Sequence, residues 1–131
     1  MTHPNRIPVA LSSLLLAAHL LAPLAARAHG AAEPRHGGVV QTAADLSFEL
    51  VGTPAGATLY VLDHDAAYDA SKLGGRITVL NGARKSEAAL RFVAGNRLEA
   101  AGVAFGLGAK AVVLLSGAGP TPLSMRFAAP K

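Results

Sequence analysis

The sequence predicts an all-β protein, a single antiparallel β-sandwich (immunoglobulin-like or transthyretin-like) of about seven strands. Apolar residues alternate with other residues, as at Leu46, Phe48 and Leu50, and a period of two is typical of strands. Turn residues recur about every ten positions, which favours a sandwich or a barrel. The dipeptide Asn81-Gly82 indicates a hairpin, because both residue types accept positive φ in a tight turn.

In chain order, we expect strands near residues 45–51, 57–63, 76–80, 84–93, 97–101, 111–116 and 123–128. Residues 66–73 are predicted as a helical turn capped by Asp65, and residues 103–109 fit either a loop or a strand. The inward residues of these strands should form the core. They are Phe48, Leu50, Leu59, Val61, Ile77, Val79, Leu90, Phe92, Leu98, Val112, Leu114, Met125 and Phe127.

The first 28 residues have the composition of an export signal. A short polar start containing Arg6 precedes a Leu- and Ala-rich run that ends in Ala26-Arg27-Ala28, the pattern of a signal-peptidase site. The alternative is an uncleaved membrane anchor, but a spanning helix needs about 20 apolar residues and Pro23 interrupts the run. We therefore expect cleavage between Ala28 and His29, a periplasmic protein and no stable membrane anchor.

The remaining chain is the size of one domain. We divide it into a flexible arm over 29–38, rich in His, Gly and Ala, and a β-sandwich over 39–131. Cleavage removes Arg6 and Arg27, so that ten basic residues remain against eight acidic ones, and this balance gives no reason to expect nucleic-acid binding. Cysteine is absent, which excludes disulfides and thiolate ligands.

Three histidines remain after cleavage, and they are the candidate metal ligands. A processed His29 would offer its α-amino group and its ring to one ion, His36 follows in the arm, and His64 lies within Asp63-His64-Asp65. Imidazole suits Cu(II) and Zn(II), and flanking carboxylates can bind the ion or orient a ring. The alternatives are a solvated arm and a turn at residues 63–65 with no metal.

No pattern in the sequence supports catalysis. Ser116 and Ser124 lack a nucleophile elbow, and the glycines of 102–110 lack the order of a phosphate-binding loop. The carboxylates of 63–69 lack the glycine and the final Glu of an EF-hand. We therefore expect a protein that is not an enzyme.

Several short motifs carry a family resemblance. They are His36-Gly37-Gly38-Val39-Val40, Phe48-Glu49-Leu50-Val51, Leu59 to Asp65, Ile77 to Leu80 and Met125 to Phe127. With them the chain resembles small exported proteins of heavy-metal-resistance loci, and it is similar to the N-terminal metal-associated segment of periplasmic adaptor subunits of heavy-metal efflux systems.

The resemblance implies a periplasmic protein that buffers or delivers a divalent metal, with an adaptor or an efflux pump component as its partner. Met125 is the only methionine after the predicted cleavage, so His-based binding of Cu(II) or Zn(II) is favoured over Cu(I), and no metal is expected to be obligatory. The alternative function is an envelope interaction module that binds a partner without any metal.

Overall fold

A computed structural model describes residues 32–131. The predicted signal peptide, the cleavage site and His29 lie outside these residues. The described chain forms nine strands and one short 3₁₀ helix, η1. Their bounds are β1 Val39–Ala43, β2 Leu46–Thr53, β3 Gly56–Asp63, β4 Ala66–Ala67, η1 Ala70–Lys72, β5 Gly74–Asn81, β6 Arg84–Ala94, β7 Arg97–Ala101, β8 Lys110–Ser116 and β9 Leu123–Ala128. In residues 32–131, no helix has the length and apolarity needed to cross a membrane.

The all-β, antiparallel prediction is confirmed. The strands follow the order β1-β2-β3-β7-β6-β5-β8-β9, with β4 paired to β3, and every pairing is antiparallel. β1 at one end of this order contacts β9 at the other. The sheet therefore curls into a nearly closed barrel, and the separation into two facing sheets expected of a sandwich is not confirmed.

Strand β6 joins the two halves of the sheet. Its residues from Arg84 to Leu90 pair with β5, and those from Arg91 onward pair with β7. The register shifts between Phe92 and Ala94, as at a β-bulge, which bends a strand and re-aims its side chains. One half thus contains β1, β2, β3 and β7, and the other contains β5, β8 and β9.

All seven predicted strands are present, and two further strands were not predicted. β1 follows two glycines and shows no clear alternation, and β4 has only two residues. The helical turn is shorter than predicted, and its cap is Asp69 instead of Asp65, because the Asp69 carboxylate accepts from the Ser71 N–H at 3.0 Å. Residues 103–109 contain no strand.

Most of the predicted core is buried, but three members are not. Phe92 is 41% exposed beside the irregularity in β6, and Leu114 is 50% exposed; Val112 is only half-buried. In β8 the inward positions are Ala111, Val113 and Leu115. Both faces of this strand are apolar, so alternation alone could not identify the inner one. The core also includes Val103 and Phe105 from the loop before β8.

Candidate metal-binding site

Glu49 is the charged residue around which the candidate site is organised. In β2 its neighbours Phe48 and Leu50 point into the core, so Glu49 faces outward, because successive side chains alternate. It is nevertheless only 3% exposed. Arg35, His36 and Gly38 hydrogen-bond to it, although they belong to the arm that the sequence predicts to be flexible.

Four hydrogen bonds hold the Glu49 carboxylate. Oε1 accepts from the backbone N–H groups of His36 at 2.8 Å and Gly38 at 2.9 Å. Oε2 accepts from the Arg35 N–H at 3.0 Å and pairs with His36 Nδ1 at 2.9 Å. This one side chain therefore ties the start of the described chain to β2, and we call residues 35–38 together with Glu49 the Glu49 latch.

Two glycines give the latch its shape. Gly37 adopts φ +73°, a conformation that residues with a Cβ rarely adopt. Gly38 lies so close to β2 that a Cβ there would collide with the carbonyl oxygen of Leu50. The His-Gly-Gly motif is therefore explained by backbone geometry as well as by its histidine.

Glu49 is held in its ionised form. Burial acts to raise the pKa of this carboxyl group, but the His36 ring and the N–H groups of Gly38, Arg35 and His36 outweigh it and leave the pKa below its ordinary value. Hydrogen bonds donated to a carboxylate stabilise its charged form. Glu49 is therefore an anion at neutral pH that stands against the His36 ring.

His36 is fixed on two sides. Its ring lies parallel to that of Tyr60, with the centroids 3.6 Å apart and the planes 3° from parallel. Tyr60 is the cross-strand partner of Glu49 in β3. Because an ionised carboxylate only accepts hydrogen bonds, Nδ1 carries a proton, and in the neutral ring Nε2 then has the lone pair. The side chain is 40% exposed, so its Nε2 can act as a ligand.

The second histidine lies in the turn between β3 and β4. His64 has φ +54°, and its Nδ1 lies 2.7 Å from Oδ1 of Asp63. The His64 side chain is 87% exposed. Asp63 therefore hydrogen-bonds to Nδ1 of His64 as Glu49 does to Nδ1 of His36. In both rings Nε2 is the nitrogen that remains to bind a metal ion.

An ion pair connects these two groups. Arg35, next to His36, donates to the Asp65 carboxylate at 3.0 Å and to the Asp65 carbonyl oxygen at 3.1 Å. This contact brings the latch and the Asp63-His64-Asp65 turn to the same side of the sheet. Asp65 was predicted as a metal ligand, and its carboxylate already has a cationic partner.

The described residues do not contain an assembled metal site. No group of three or more His, Asp or Glu side chains within 32–131 has the spacing to hold an ion. The Arg35–Asp65 ion pair links the segment of His36 to the Asp63-His64-Asp65 turn. His29, the remaining predicted ligand, is outside the described residues. Whether these five bind a metal stays a prediction.

Glu49 itself was not predicted as a site residue. The signal was present in the sequence, since a glutamate between Phe48 and Leu50 stands in a strand whose other central residues are apolar. A charge at such a position needs a partner when it is buried. The partner, His36-Gly37-Gly38, is 11 to 13 residues away, and no local pattern indicates that the two meet.

No protein-family model matches the chain, and no curated protein or solved structure matches it significantly. The resemblance to proteins of heavy-metal-resistance loci therefore stays a prediction.

Proposed function

We propose that the protein binds a divalent metal, Cu(II) or Zn(II), through the histidines at its N-terminal side, and that it buffers or delivers this ion in heavy-metal resistance or efflux. The observation that carries the proposal is the Glu49–His36 pair. A carboxylate on Nδ1 that fixes the ring and leaves Nε2 for the ion is the usual arrangement of a metal-binding histidine.

The other ligands come from residues close to this pair. His64 presents a second ring oriented by a carboxylate, and the Arg35–Asp65 contact at 3.0 Å holds its turn next to the latch. His29 precedes His36 by seven residues, and that length of chain reaches up to about 25 Å. His29, His36 and His64 form the proposed donor set, with Asp63 and Asp65 orienting or completing it.

The exposure of both rings suits delivery. A metal held by His36 and His64 at the surface can be passed to another protein by exchange of ligands, as the role of partner to a periplasmic adaptor or efflux pump component requires. The proposal includes export through a cleaved signal peptide, with periplasmic localisation, a metal-binding arm and a sandwich-type domain. Neither nucleic acid nor an obligatory cofactor has a place in it.

The test is titration of Cu(II) and Zn(II) into protein that begins at His29, followed by calorimetry and, for Cu(II), electron paramagnetic resonance. We expect one ion per chain and nitrogen ligands in the spectrum. His36→Ala and His64→Ala should each weaken binding at least tenfold, and an added residue before His29 should weaken it by blocking the amine.

A matched pair of variants tests the orienting role of Glu49. Glu49→Gln should weaken metal binding about tenfold, in the range seen when a carboxylate behind a histidine ligand is removed. Glu99→Gln changes an exposed glutamate in β7 and should have no effect. Binding that survives in the His36→Ala/His64→Ala double variant would contradict the proposal.

A further inference from the structure

One edge of β6 has no strand partner over most of its length. From Arg84 to Leu90 the strand pairs with β5 along one edge. Along the other edge, β7 pairs with it only from Arg91 to Ala94. In the described part of the chain, the second edge of 84–90 therefore presents backbone N–H and C=O groups that are not used in the sheet, which is a template for an added strand.

A groove of about 740 Å³ lies at the point where β6 diverges from β7. Small side chains line it from both strands and from β3, including Ala57, Ala88, Ala89, Ala100 and Ala101. Methyl groups cover little of the backbone behind them. An extended chain can therefore approach the free edge of β6 without displacing any large side chain.

Apolar side chains stand at one end of this groove. Phe92 and Val93 line it and are 41% and 45% exposed. They lie at the irregularity in β6. An apolar side chain of a bound segment would find its contact there.

The charges along β6 favour an acidic occupant. The strand carries Arg84, Lys85 and Arg91 against Glu87, and Glu87 already pairs with Lys85 at 3.2 Å. Within residues 32–131, neither Arg84 nor Arg91 forms an ion pair. Glu99 in β7 is the direct strand partner of Arg91, and it leaves the net charge along β6 positive.

The same charges oppose pairing with a second copy. An antiparallel pair of β6 strands centred on the free edge 84–90 would set Glu87 opposite Glu87 of the second copy. Like charges directly opposite each other destabilise a strand pair, and charged residues at edges are a common device against self-association. A separate acidic segment is not restricted to this register and can place its carboxylates beside Arg84, Lys85 or Arg91 instead.

We propose that the free edge of β6 binds an extended acidic peptide of a partner protein as an additional strand, with an apolar side chain of the peptide against Phe92 and Val93. Strand addition of this kind draws affinity from main-chain hydrogen bonds and specificity from side chains. The surface is separate from the Glu49 latch and needs no metal.

The experiment uses the metal-free protein and a fluorescent peptide of about nine residues with alternating Glu and Val, long enough to span the edge. Fluorescence anisotropy should show saturable binding, and hydrogen exchange should show slowed amides within 84–90. A peptide with Lys in place of Glu should bind at least tenfold more weakly. A Glu/Val peptide that is N-methylated at alternate residues should not bind.

Matched charge reversals test the location. The double variant Arg84→Glu/Arg91→Glu should bind the Glu/Val peptide at least tenfold more weakly than the wild type and should bind the Lys/Val peptide more tightly. Lys110→Glu/Arg126→Glu makes the same change of net charge on β8 and β9 and should leave both affinities within twofold.

Equal losses in the two double variants would reduce the binding to general electrostatics and overturn the proposal. Protection of amides in β1 or β9 instead of β6, or no binding of the Glu/Val peptide, would overturn it as well. Dimerisation of the wild-type protein that Ala89→Trp abolishes would identify a second copy, not an acidic peptide, as the occupant.

Discussion

Glu49 in β2 and Glu87 in the part of β6 that pairs with β5 occupy comparable places in the sheet, yet their surroundings differ. Each lies in a strand on the face turned away from the core. The Glu49 side chain is 3% exposed and accepts hydrogen bonds from three backbone N–H groups and one ring nitrogen. The Glu87 side chain is 41% exposed, and its nearest cations are Lys85 at 3.2 Å and Arg76 at 3.7 Å.

In both residues the pKa lies below its ordinary value, but for different reasons. Burial of Glu49 acts against ionisation and is outweighed by donors of fixed geometry. For Glu87 the largest effects are the hydrogen bond and the charge of Lys85, with little burial to oppose them. Mobile charges at a surface contribute little to stability, whereas buried donors are costly to leave without an acceptor. Coverage by residues 35–38, not charge, therefore makes Glu49 a structural residue.

The largest expected effect is on the free energy of unfolding. Glu49→Gln should lower it by about 2–4 kcal/mol, because the amide cannot accept from all four donors and leaves some of these part-buried groups without a partner. Urea denaturation followed by circular dichroism measures this loss. Glu87→Gln is the matched control and should leave the urea midpoint unchanged. Equal shifts in the two variants would remove the distinction between the two glutamates.

A smaller loss of stability is expected when the backbone of the Glu49 latch is disturbed. Gly38→Ala should cost about 1–3 kcal/mol, since the new methyl group collides with the carbonyl oxygen of Leu50 and overpacking has this typical cost. Gly119→Ala adds the same methyl group where no atom of residues 32–131 lies within 4 Å and should have little effect. The thermal midpoints of the two variants measure the difference, and a stable Gly38→Ala protein would mean that the latch opens without cost.

The smallest effect concerns pH. Because folding lowers the pKa of Glu49, its contribution to stability is present above its ordinary pKa of 4.5 and is lost as the pH falls through the lower value of the folded protein. The urea midpoint of the wild type should therefore fall more steeply below about pH 4.5 than that of Glu49→Gln.

Salt separates the two glutamates in the same experiment. High salt screens the exposed pairs of Glu87 and leaves buried hydrogen bonds largely intact. The pH dependence assigned to Glu49 should therefore persist in 0.5 M NaCl, and its disappearance there would assign it to surface charges instead.

Alternation predicted the strands well because most of them cover the core with one face only, as Leu123, Met125 and Phe127 do in β9. It failed in β8, where Val112 and Leu114 on the outer face are as apolar as Val113 and Leu115 on the inner one. Only the pairing of β8 with β5 and β9 decides which of its two faces points into the core. The prediction that Phe92 is buried was wrong at the place where β6 becomes irregular, and nothing in the local sequence indicates an irregularity there.

The candidate site was predictable only in its parts. Its histidines can be found in the sequence by their chemistry, and Asp63 next to His64 is a local contact. The pairings of His36 with Glu49 and of Arg35 with Asp65 join residues 13 and 30 positions apart. They depend on β2 and β3 lying side by side, and a single sequence carries no signal for contacts of that range.

The bend in β6 has a consequence for folding kinetics. Among the strands of residues 32–131, β6 alone hydrogen-bonds to members of both halves of the sheet, so the halves are joined into one sheet only when β6 is in register with both β5 and β7. Both pairings of β6 are hairpins between chain neighbours and can form early, whereas β3 with β7 and β5 with β8 join residues far apart in the chain. These non-local pairings make folding slow, in the range of milliseconds to seconds typical of all-β domains. Strand β6 should therefore be structured in the rate-limiting transition state, and substitutions along it should slow refolding more than they speed unfolding.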